Sequence, residues 1–71
     1  MVAAIGEGAV IDGYALVGVE VHAAESEAAA RAAWDALDPD VGLVILTPFA
    51  RSALADRLKD AGGRVWAELP R

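Results

Sequence analysis

In the run "AAIGEGAVIDGYALVGVEV", Gly6 and Gly8 bracket Glu7 directly after an apolar stretch, where backbone amides opening a helix could cradle a phosphate. A dinucleotide fingerprint asks for G-x-G-x-x-G/A. Ile11 holds the place of the third glycine, and Glu25 stands about twenty residues on, where a ribose-binding carboxylate would be expected. Glu7 opposes this use, because it puts a negative charge inside the loop meant for a diphosphate. The plainer reading of Gly6 and Gly8 is backbone geometry, a sharp strand-to-helix turn needing unusual φ. A small nucleotide-binding α/β domain using the Gly6/Gly8 turn, with Glu25, stands as the alternative function.

Other chemistries find fewer parts. A receiver-type phosphoacceptor needs an acidic pair after its first strand, an Asp after its third and a Lys after a later one. Here Glu7 stands alone, Thr47 follows the third apolar run, and Lys59 lies within a helical pattern. Asp12, Asp38 and Asp40 lack metal-ligand partners at useful spacing. His22 has no neighbouring nucleophile, and no Ser-His-acid arrangement has local support. No catalytic, cofactor-binding or metal-binding residue is therefore expected.

The elements that must position these residues are legible in the hydrophobic periodicity. Val2–Ile5 reads as a buried strand ended by Gly6. Residues 8–17 place Val10, Ile11, Tyr14 and Val17 at helical spacing, and Gly18 stands where a C′ glycine would. Val19–Ala24 alternates as an edge strand does, with Glu20 and His22 on one face. Ser26 is an N-cap with Glu27 in the first turn of a second helix, whose inward stripe is Ala30, Ala33, Trp34 and Leu37. Pro39 ends it. "VGLVILT" at 41–47 is apolar until its end, the mark of a central parallel strand covered on both sides. Thr47 and Pro48 form an N-cap and N1 pair for a third helix, with the stripe Ala50, Ala53, Leu54, Leu58 and Ala61 before Gly62 and Gly63. "RVWAELP" is the last strand. A β-α-β-α-β-α-β order with right-handed crossovers predicts a Rossmann-like three-layer sandwich on a four-stranded parallel sheet, in the flavodoxin-like order 2-1-3-4. The switch point then falls between the Gly6–Glu7 and Thr47–Phe49 loops.

The chain has 71 residues, which predicts a single α/β domain. Eleven acidic against six basic residues give a formal net charge of −5, which repels a phosphate backbone and argues against nucleic acid. Asp12 and Glu20 interrupt the first apolar stretch and no run approaches the roughly 20 residues that span a bilayer, so direct membrane insertion is not expected. Cysteine is absent, and a small core without disulfides or metal must rest on its own packing or on a partner, most naturally in the cytoplasm.

The stretch "IGEGAVIDGYALVGV", with Gly6-Glu7 and then Gly13-Tyr14-Ala15-Leu16-Val17-Gly18-Val19, resembles the F subunit of the V-type/A-type rotary ATPases (ATP synthases). Members of that family begin with a short apolar strand, then Gly and an acid, then a helix containing Gly-Phe/Tyr-x-Leu-x-Gly-Val. The acidic, Ala-rich second helix, the apolar "VGLVILT" and the closing "ELP" agree, so the resemblance runs nearly the length of the chain. Members usually have a longer segment before the last strand and a C-terminal extension, where this sequence has "DAGGRVWAELPR".

The resemblance implies a non-catalytic rotor component of the central stalk. It would bind the coiled-coil shaft protein, the D subunit, with the other V-type/A-type ATPase subunits around it, and help couple ATP synthesis or hydrolysis to ion transport. It would be cytoplasmic and peripheral to the membrane. Phe49, Trp66 and Arg51, joined by Tyr14, are the candidate partner-binding residues, and Gly6, Glu7, Gly13 and Gly18 the structural turn and packing positions. Gly13 in mid-helix costs about 1 kcal/mol relative to Ala, which predicts close approach of that helix to the sheet.

Overall fold

Four short strands, β1 (Val2–Gly6), β2 (Glu20–Ala23), β3 (Leu43–Leu46) and β4 (Val65–Glu68), pair in parallel in a computed structural model that describes residues 1–13 and 18–70. Their order is β2-β1-β3-β4, as expected from the periodicity. Between them lie α1 (Gly8–Asp12), α2 (Glu27–Asp35), α3 (Pro48–Ala53) and α4 (Ala55–Leu58). Right-handed crossovers that change direction after β2 place α1 on one face of the sheet and α2 and α3 on the other.

Register divides the strand residues between the two faces. Ala3 is level with Glu20 and Val44, and Val44 with Trp66; Ile5 is level with His22 and Leu46, and Leu46 with Glu68. Ala3, Ile5, Val44 and Leu46 meet Ala30, Trp34, Leu37, Ala50, Ala53 and Leu54 in one buried cluster. Trp34 and Leu37 are the large members supplied by the second helical segment, as its stripe predicts. Ser26 caps α2 by accepting the Ala29 N–H at 3.1 Å, and Thr47 caps α3 by accepting the Ala50 N–H at 3.2 Å.

Four expectations are corrected. β3 is fully covered on one face only: Val44 and Leu46 are buried, whereas Leu43 and Ile45 are half-buried, and the described part of α1 packs on β1 and β2. The third helix is two helices, α3 and α4. Leu54 leaves helical dihedrals (φ −99, ψ 11) while its side chain is fully buried, so burial of this residue overrides helix continuity. Val10 is exposed, and Ile11 alone anchors the described part of α1. Gly13 makes no close approach to the sheet. It is the exposed C-cap of α1, and among the described residues a Cβ there would touch only the carbonyls of Val10 and Ala9 of its own helix.

Candidate functional site

The switch point is built by the loops that leave β1 and β3. Glu7 follows β1 in extended conformation, and its carbonyl accepts the amides of Val10 and Ile11 to start α1. Thr47, wholly buried, donates its hydroxyl to Glu7 Oε1 at 2.6 Å while the same oxygen caps α3. Beyond the end of β2, Glu25 accepts the Gly8 N–H at 2.9 Å. The amide that a phosphate would need is thus taken by a carboxylate of the chain itself, with a second carboxylate beside it. Glu25, the candidate ribose ligand, closes the turn instead.

Neither Gly6 nor Gly8 is among the glycines with positive φ, which are Gly18, Gly62 and Gly63. Gly6 is required for a different reason: a Cβ on it would overlap the side chain of Thr47. Unusual φ is therefore not what this turn demands, and the correction is one of cause. At Gly18, by contrast, φ is 76°, a left-handed conformation that favours glycine; the residues before it, 14–17, on which its reading as a C′ glycine depends, lie outside the described residues.

A second site lies on the α3/α4 side of β4. The Arg51 guanidinium sits over the Trp66 ring, 5.8 Å from its centroid, and reaches Glu68 Oε1 at 3.2 Å. Arg51, Ala55, Leu58, Lys59 and Trp66 line a shallow open groove of ≈ 290 Å³. Its floor is an indole that packs on the core, and its walls carry two cations on a molecule of net charge −5. Such a groove suits an apolar or acidic side chain of a partner.

The structure brings Arg51 and Trp66 together as partner-binding candidates. Phe49, half-buried on the first turn of α3, is not among the residues lining the groove. Tyr14 lies outside the described residues. Lys59, Leu58, Ala55 and Glu68 do not stand out as surface candidates in the sequence; residues 51, 55, 58 and 59 share one helical face, and that spacing is the available signal.

Elsewhere, His22 Nε2 is buried without a hydrogen bond and lies 3.6 Å from Glu20 Oε1. Arg64 donates to the carbonyls of Val41 and Asp38, each at 3.0 Å, and stacks over Trp34. It thereby closes the N-terminal end of β3 and β4. Arg57 forms a paired contact with the Asp35 carboxylate at 3.0 and 3.4 Å, and these hydrogen bonds hold the Asp35 carboxyl below its ordinary range. Among the described residues, no three His, Cys, Asp or Glu side chains gather where they could hold a metal ion, and no helix is long and apolar enough to cross a membrane.

No protein-family model, curated protein or solved structure matches the chain.

Proposed function

We propose that this chain is a non-catalytic central-stalk (rotor) component of a V-type/A-type rotary ATPase, binding the coiled-coil shaft protein and helping to couple ATP synthesis or hydrolysis to ion transport. The observation that carries this reading is the ordered run Gly6-Glu7 followed by Gly13-Tyr14-Ala15-Leu16-Val17-Gly18-Val19, similar to the opening of the F subunit family. The Arg51–Trp66 groove supports it as a contact surface, because an indole flanked by cations offers an apolar centre with a charged rim. In this role the chain works at the cytoplasmic side of the membrane, held there by the complex. The competing nucleotide-binding reading is weakened by Glu25 and Glu7, which occupy the turn it requires.

Titration calorimetry of the chain with the shaft protein of the same rotary ATPase tests the proposal. A saturable complex is expected, and Arg51→Glu should weaken it by at least about 1 kcal/mol while circular dichroism remains that of the wild type. If the wild type does not bind the shaft, the rotor assignment is wrong. If it binds and Arg51→Glu binds equally well, the contact lies on another surface.

A further inference from the structure

Strand β4 is one edge of the sheet, and its backbone groups are divided in a regular way. Val65 N–H donates to Gly42 O at 2.9 Å and Leu69 N–H to Leu46 O at 2.8 Å. Alternation therefore gives the backbone of residues 65, 67 and 69 to β3 and directs that of Trp66 and Glu68 outward. Folded proteins commonly blunt such an edge with a lysine, a bulge or a covering segment. Here the side chains beside it on the α1 face are Val65, 63% exposed, and the exposed Ala67; on the other face are Trp66 and Glu68.

We propose that this edge pairs with the same edge of a second copy of the chain, antiparallel, about a two-fold axis at Ala67, so that two four-stranded sheets become one. In this register Trp66 and the partner's Glu68 exchange backbone hydrogen bonds, and the symmetric pair does the same. These are the two residues whose amides and carbonyls point outward. The contact is isologous, as closed dimers require.

Charge and size select the register. The partner's Glu68 falls beside Trp66, at the groove lined by Arg51 and Lys59, of which Arg51 reaches Glu68 of its own chain. Lys59 makes no ion pair among the described residues. On the α1 face, Val65 meets the partner's Leu69, and the two Ala67 side chains meet at the axis, where closely spaced strands need small residues. Pro70 has no N–H and ends the ladder. Moving the axis to Glu68 would oppose two carboxylates. Moving it to Trp66 would oppose two indoles, each carrying an Arg51 cation. The pairing is a property of the isolated chain and does not rest on the rotor reading.

Sedimentation velocity of the full chain from about 10 μM to about 1 mM covers the range in which so small an interface equilibrates. The mass should double across that range. Amide hydrogen exchange at Trp66 and Glu68 should slow at least about tenfold at the high concentration, while Val65 and Ala67, already bonded to β3, stay unchanged. Ala67→Arg sets two like charges at the axis on an exposed face and should leave the chain monomeric. A monomer at every concentration overturns the proposal. So does a dimer in which the Trp66 and Glu68 amides exchange as fast as in the dilute sample, or one that Ala67→Arg preserves.

Discussion

The Thr47 hydroxyl donates to the Glu7 carboxylate at 2.6 Å, joining residues 40 positions apart at the C-terminal ends of the two central strands. Gly6 lies against the same threonine, and the side chain it lacks is what lets the two loops close. One hydroxyl thus caps α3 and ties it to the exit of β1 at the switch point.

Gly6→Ala should destabilise the fold by about 1–3 kcal/mol, because a methyl group must displace a fully buried Thr47. Thr47→Val, which keeps the volume but removes both the cap and the bond to Glu7, should cost about 1–2 kcal/mol. Urea unfolding followed by tryptophan fluorescence measures both. Wild-type midpoints in either variant would mean that the loops relax around the change.

Addition of ATP or NAD should leave the Gly8 amide resonance where it is, since its N–H is already donated to Glu25. Glu25→Ala should shift that resonance and speed its hydrogen exchange even without ligand. A saturable shift of Gly8 in the wild type on adding nucleotide would revive the phosphate reading of the turn.

Gly13→Ala should raise stability by about 0.4–1 kcal/mol, because φ −66 and ψ −17 suit alanine, the site is exposed, and the unfolded chain loses freedom. Gly18→Ala should do the reverse, by about 1 kcal/mol, since φ there is 76°. Thermal melts of the two variants must move in opposite directions for this assignment to stand.

The Asp35–Arg57 pair makes stability depend on pH in a definite sense. Hydrogen bonds from Arg57 depress the folded-state pKa of Asp35, so the pair's contribution is present above the ordinary carboxylate range and is lost as pH falls through the folded value. Asp35→Asn should therefore be less stable than wild type at neutral pH, with the gap closing in acid and shrinking in high salt, since both groups are exposed. Chemical denaturation at several pH values shows it; a gap that widens in acid would contradict the pairing.

Strand positions, the caps Ser26 and Thr47, and the order of the sheet were legible because they depend on local periodicity and on chain connectivity, which the sequence carries directly. Ser26, three residues before the amide it caps, is a local relation, and so is the stripe ending in Trp34 and Leu37. The pairing of Arg51 with Trp66 was half legible: both are surface candidates by sequence, but the groove is also lined by Lys59, next to the end of α4, and Arg51 is held by Glu68 from the far end of β4. Three things were decided only in the folded chain: that Glu25 fills the turn at Gly8, that Gly6 answers to Thr47 rather than to its own φ, and that Leu54 divides a helix. Each is set by side chains meeting across 17 or more residues, or by burial overriding local dihedral preference, and no spacing along the chain encodes how closely two loops approach.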